Sequence, residues 1–348
     1  MPQSGGYTTV ADTKPNPERK QQAARAGARQ SHSQRVTRAS VCFLGLLLVA
    51  SVTTLPFSVS WYNVQELDAA VRHAPSARPV VSSDRYHTLV TDKLPLGLVR
   101  AAHQASSWFG HDDFGRSVFY RVLPGFLVSI GLGFAAAAIA VCVGTLWGAT
   151  AALSGGRIDL VMMRIVDVLY GLPYILMVIL LKVALTHPLT TLFAGHPKYA
   201  DLVILLLAIT GVSWLTMARV IRGQVLSLRA QAFVEAARAA GAGPMRILRR
   251  HLLPNLVGPI LVYATLIIPQ AIMQESFLSF LGIGIQQPTP SLGRLAADGV
   301  QAVNTFVGYW WLIVFPCGVL VLTLLALNLI GDGLRDAFDP KSRAAGLI

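Results

Sequence analysis

Few residues in this sequence could do chemistry, and their types exclude most of it. One carboxylate, Glu275, sits well inside an apolar run. A charge at bilayer depth is costly, so it is either satisfied by a neighbouring helix or lines a translocation path. Arg164 and Asp167 fall near one end of another apolar run and Lys182 near its far end. So sparse a set argues against a proton or sodium relay. His111 is followed by Asp112 and Asp113, but adjacent loop residues converge poorly on one ion. One of the two aspartates is instead expected to cap a helix beginning near Gly115. Cys42, Cys142 and Cys317 lie in apolar runs without CxxC spacing, which fits packing rather than a disulfide framework or metal site. There is no GxxxxGK[ST] phosphate loop, no HExxH and no GxSxG. No catalytic or metal-ligating residue and no cofactor is therefore expected, and any ATP would be bound by a partner.

The segment with the most specific pattern is EAARAAGAGPMRILRRHLLPN, from Glu235 to Asn255. Phe233, Ala236, Ala237 and Ala240 recur at helical spacing and give a short helix with a smooth apolar face. Gly241 and Gly243 end it, and Pro244 suits the first turn of a second helix, where its missing N–H costs nothing. The result is a helix–turn–helix elbow. An Ala face flanked by an acid and several Arg suits a groove on another protein. It equally suits lipid headgroups.

The elements that hold these residues follow from composition. Hydrophobic residues make up 53% of the chain and charged ones 13%, against roughly 45–50% and 25% in soluble domains. The apolar residues gather into runs near Val41–Val59, Phe126–Ala152, Val161–Leu185, Leu202–Ile221, Leu256–Leu281 and Trp310–Ile330. Each is about the twenty residues a helix needs to cross a bilayer. An all-α integral membrane protein with about six transmembrane helices is expected. In span two, Gly144 and Gly148 share one face, as do Ser129 and Gly133, a spacing that lets helices approach closely in lipid.

The net charge of +12 does not point to nucleic acid, because the bases flank spans. Lys14, Arg19, Lys20, Arg25, Arg29, Arg35 and Arg38 precede the first span, and Arg222, Arg229, Arg238, Arg246, Arg249 and Arg250 fill one later loop. The positive-inside rule puts that loop and both termini in the cytoplasm. The chain then divides into a disordered cytoplasmic tail (1–38), a first transmembrane helix (39–60), a charge-balanced extracytoplasmic segment (61–123), a five-helix core (124–332) carrying the cytoplasmic loop 222–255, and a cytoplasmic tail (333–348).

Glu235-Ala236-Ala237, Gly241, His251 and Leu253-Pro254 resemble the EAA loop of the permease subunits of ATP-binding-cassette importers, with His251 where that pattern has Ile. The stretch Phe109 to Arg116 resembles the FGTDxxGRD approach to span two in the oligopeptide and dipeptide permease group, with His111 and Ser117 as departures. Gly155-Gly156-Arg157-Ile158-Asp159, Glu275 to Gly282, and Gly331 to Asp336 with Asp339-Pro340 are similar to further parts of its C-type subunit. The resemblance implies the type I importer permease fold in a bacterial inner membrane. Its implied partners are a homologous B-type permease, two cytoplasmic ATPase subunits, an extracytoplasmic peptide-binding protein and membrane lipid. It assigns Glu235, Ala236, Ala237, Gly241, Leu253 and Pro254 to ATPase coupling, and leaves Glu275 as a group that could meet a peptide amine. Nickel importers share much of this pattern. A secondary transporter and a membrane scaffold that transports nothing are the rival readings; a scaffold would need no coupling helix and no Gly-lined span faces.

Overall fold

The computed structural model describes residues 17–61, 104–105, 107–112, 114–193, 197–287, 289–302 and 309–338. Among them the regular structure is helical: α1 (Pro17–Thr53), α2 (Leu55–Trp61), α3 (Val118–Ser154), α4 (Gly156–Tyr170), α5 (Tyr174–Leu192), α6 (Pro197–Arg229), α7 (Ala232–Ala239), α8 (Pro244–Ile247), α9 (Leu253–Phe280), α10 (Leu292–Ala302) and α11 (Trp311–Phe338). A five-residue π turn, Leu248–Leu252, joins α8 to α9. Six stretches are long and apolar enough to cross a membrane: Arg35–Thr53, Val118–Ser154, Tyr174–Leu192, Ala200–Arg229, Pro244–Phe280 and Trp311–Phe338.

Two boundaries differ from those expected. The apolar run from 161 to 185 is not one helix, because Gly171-Leu172-Pro173 separates α4 from α5. Pro173 lacks an N–H and disfavours a helical Leu172, so the third span begins only at Tyr174. At the N-terminus α1 extends back to Pro17, into the tail expected to be disordered, through Ala, Gln and Arg residues that are good helix formers. Most of the expected 61–123 segment, and the tail beyond Phe338, lie outside the described residues.

The core forms where α3 meets α6 and α9. Val122, Phe126, Ile221, Val225, Leu256 and Ile272 are buried together in one cluster. The small-residue faces of α3 do what their spacing predicted. A Cβ on Gly144 would fall 2.5 Å from Met217 Cβ, and one on Gly148 would meet the Ala218 carbonyl, so this face lies against α6. A Cβ on Gly133 would fall 2.5 Å from Ile272 Cγ1, which sets the other face against α9.

Helix α4 is clamped to α6 by charge. Arg222 donates two hydrogen bonds of 2.6 Å to Asp159, and Arg219 reaches Asp167 at 2.9 Å while lying over the Tyr170 ring. The bidentate guanidinium holds the Asp159 carboxyl below its usual range.

Candidate functional site

The Glu235–Asn255 segment folds as the expected elbow. Gln231 precedes α7, and Glu235 lies in its first turn, where a negative charge favours the helix dipole. Gly241 has φ +80°, a conformation that strains any side chain. Its N–H donates to Arg238 O at 2.9 Å, and the Ala242 N–H donates to Ala237 O at 3.0 Å. That pair of bonds is a Schellman closure, which satisfies two carbonyls at the end of α7. The chain turns at this point and α8 begins at Pro244.

The elbow is mostly open to its surroundings. Glu235, Ala236, Gly241 and Pro254 are exposed, and Ala237 and Leu253 are half-buried. The structure places Glu235, Ala236 and Ala237 on α7, Gly241 in the turn after it, and Leu253 and Pro254 at the start of α9. What holds the elbow was missed in the sequence: Val234, Ile247 and Leu252 are buried in the same cluster as the α3, α6 and α9 cores. They lie among the same Ala, Leu and Arg residues as their exposed neighbours, so periodicity alone did not separate them. A further tie is the bond from Arg229, the last residue of α6, to the Ala152 carbonyl on α3. Phe233 and His251 face each other across the elbow at 6.4 Å between ring centroids.

Glu275 lies far from the elbow and is fully buried. Its Oε2 accepts from Ser129 on α3 at 2.8 Å, and its Oε1 accepts from Ser279 at 2.8 Å. Both hydroxyls are committed further. Ser129 Oγ accepts from the Leu292 N–H at 3.3 Å, and Ser279 Oγ accepts from the Ile285 N–H at 3.1 Å. One carboxylate thus knots α3, α9, the loop after α9 and the start of α10. It lines neither of the two cavities described here.

At the same end of the bundle, the segment before α3 is shaped by Asp112. Its Oδ1 accepts from the backbone N–H of Phe114 (3.0 Å) and Arg116 (2.9 Å), while Oδ2 accepts from Arg116 Nε and Arg121 Nη1, each at 2.8 Å. Asp112 is therefore not the helix cap that was expected. Ser117 caps α3, accepting from the Tyr120 N–H, because Asp112 stands too far upstream and its oxygens are committed within the loop. Asp113 lies outside the described residues.

From Asp112 the charges continue through Arg121 to Asp298 (3.3 Å) and on to Arg294 (3.0 Å), beside a cavity of about 370 Å³. In the sequence Arg121 falls within the charge-balanced 61–123 segment with nothing to single it out, although the i, i+4 pairs Asp112/Arg116 and Arg294/Asp298 carried a signal. Among the described residues, no group of three His, Cys, Asp or Glu could hold a metal ion.

Six apolar spans with a short helical elbow between two of them define an all-α membrane protein. The inward-facing MetNI methionine ABC transporter contains a chain with the same fold (TM-score 0.50, 19% identity), covering 63% of this chain and 97% of that one. The family described as binding-protein-dependent transport system inner membrane component matches residues 140–344, and the chain belongs to that family. It is 46% identical to the dipeptide transport system permease protein DppC of Bacillus subtilis over 69% of this chain and 70% of that one. It is 44% identical to the oligopeptide transport system permease protein OppC of Escherichia coli over 69% of this chain and 74% of that one.

Proposed function

We propose that this chain is the C-type permease of an ATP-driven peptide importer. It lines the translocation path together with a homologous B-type permease and receives the power stroke of two cytoplasmic ATPases through α7. An extracytoplasmic binding protein delivers the peptide at the opposite end, beside Asp112 and α10. The chain itself hydrolyses nothing. The observation that carries this reading is the elbow: an exposed eight-residue helix whose far side is anchored in the bundle core by Val234, Ile247 and Leu252.

Such a helix transmits force without catalysis. Closure of the ATPases around ATP pushes on the exposed Glu235–Ala237 face, and the buried anchors pass that displacement to α3, α6 and α9 as a rigid-body change. Gly241 fixes the angle at which α7 meets α8. Leu253 and Pro254 set where the long α9 departs from the elbow. The kinship to dipeptide and oligopeptide permeases favours peptide as the cargo. The fully satisfied Glu275 favours packing over contact with a peptide amine.

Co-purification of the tagged chain from membranes, followed by mass spectrometry, tests the assembly. The reading expects a second permease and two ATPase subunits; recovery of the chain without an ATPase contradicts it. Orientation is tested with an impermeant thiol reagent on intact cells. A cysteine placed at Gly243 stays unlabelled and one at Ser82 reacts, whereas labelling of Gly243 from outside reverses the assignment.

A further inference from the structure

Where α4 gives way to α5, a second cavity of about 340 Å³ opens between the end of α4, the first residue of α5 and the middles of α6 and α9. Its polar wall is Tyr170, Tyr174, Ser213, Thr216, Gln270 and Gln274, and no lining residue is charged. Ser213 and Thr216 lie at the centre of the Ala200–Arg229 span, and Gln270 is near the centre of α9. The site therefore lies partway along two spans and at the start of a third, where an amide or hydroxyl facing hydrocarbon is costly unless water or protein meets it. Thr216 and Gln270 are nonetheless exposed.

Two further observations make this more than a gap in packing. Tyr174 Oη and Gln274 Oε1 are shielded from solvent, yet neither has a hydrogen-bond partner among the described residues. Buried polar atoms are ordinarily satisfied, and at a cavity wall such atoms are free to meet water or a ligand. The backbone beside them is also non-helical at Gly171-Leu172-Pro173, and at membrane depth such a break belongs where it lines a cavity.

The chemistry of the wall selects the ligand. A phenol and two primary amides each offer a donor and an acceptor without charge, the same pair that every residue of a peptide main chain offers in return. No lining residue is charged, so the wall itself offers no ion pair to a peptide side chain; Arg219 lies over the Tyr170 ring, and the Tyr174 ring gives a side chain an apolar face. The volume falls within the roughly 300–1,000 Å³ typical of ligand sites. We infer that this cavity is where the translocation path holds the main-chain amides of a peptide in transit, independently of its side chains. The inference rests on the peptide reading above.

The test compares uptake of a tripeptide with that of an analogue whose central amide is replaced by an ester, which lacks the N–H. Uptake is measured in cells expressing the whole importer with the wild-type chain, Tyr174→Phe or Gln274→Leu. The expected result is a loss of about tenfold or more in tripeptide uptake in each variant at normal assembly, with the wild-type preference for amide over ester shrinking towards one. Delivery by the binding protein is common to all the strains and cancels in that ratio. If the assembled variants carry both peptides as the wild type does, this inference is wrong while peptide import stands. If the wild type carries no peptide, the peptide reading itself fails.

Should the variants fail to assemble, a single cysteine at Gln270, with Cys42, Cys142 and Cys317 replaced by Ser, gives an independent answer. Labelling by a small hydrophilic maleimide that is slowed by the transported tripeptide supports the site. Labelling blocked by the partner permease and indifferent to peptide assigns the face to the subunit interface and overturns the inference.

Discussion

The α10 end of the bundle and the elbow are built on opposite principles. At the end bearing α10, charged groups are buried and bound to one another: Arg121 is 2% exposed and bridges Asp112 to Asp298, while Glu275 ties two helices through serine hydroxyls. On the elbow itself, Glu235, Arg238, Arg246, Arg249 and Arg250 are exposed, and its hold on the bundle is mainly apolar, through Val234, Ile247 and Leu252, beside the one bond from Arg229 to the Ala152 carbonyl. Ion pairs and carboxylate knots specify one geometry and are costly to break. A short helix on an apolar footing can take a load from a partner and pass it on. The contrast implies that substitutions at the α10 end damage the fold, whereas those in the elbow damage coupling.

The largest effect is expected at Arg121. Arg121→Met leaves Asp112 and Asp298 short of their shared partner in a buried setting, a loss of about 3–5 kcal/mol. Thermal melting of the purified chain in detergent should fall sharply, and the yield of folded protein with it. Unchanged melting would mean that this network does not hold the end together. Glu275 comes next. Glu275→Leu strands the Ser129 and Ser279 hydroxyls at about 1–3 kcal/mol each, whereas Glu275→Gln keeps an acceptor for one of them and offers an N–H to the other. In both variants peptide uptake should fall only in proportion to assembled complex. A normally assembled Glu275→Gln importer with slow uptake would move this carboxylate from the fold to the path.

At the α3–α6 contact, Gly148→Val places a branched side chain against the Ala218 carbonyl and should cost about 1–3 kcal/mol, read as a lower melting temperature. The smallest change in stability is expected in the elbow. Gly241→Ala has open space for its Cβ but must keep φ near +80°, a penalty of about 1 kcal/mol confined to one turn. Insertion and melting should be almost unchanged while uptake drops measurably. A large loss of stability there would erase the difference between the two regions.

Much of the elbow could be read from the sequence because its signals are local. Gly241, Gly243 and Pro244 punctuate two helices within a few residues, and the Ala face repeats at helical spacing. The spans were legible for the same reason, since each is a continuous apolar run. The third span was misplaced because hydropathy runs straight through Gly171-Leu172-Pro173, whereas backbone chemistry stops there. Of the charged network only the i, i+4 pairs Asp112/Arg116 and Arg294/Asp298 could be read, and not the link between them. Arg121 and Asp298 are 177 residues apart, and nothing in either neighbourhood names the other. Asp112, one of the two aspartates offered as a cap, stands near Gly115 in the sequence, but its bond to Arg121 could not be seen there.

The central claim is that α7 couples this chain to an ATPase, and paired substitutions on its exposed surface test it most directly. Glu235→Lys reverses the charge in the first turn, and Gly241→Asp puts a side chain where φ is positive; neither touches the buried anchors. The measurement is peptide uptake together with the amount of ATPase recruited to membranes, at matched expression and insertion. The account predicts that both variants insert normally, and that each loses most of its uptake along with ATPase recruitment or its response to ATP. Normal uptake in both would mean that the elbow is a lipid-facing surface and that force enters the bundle elsewhere.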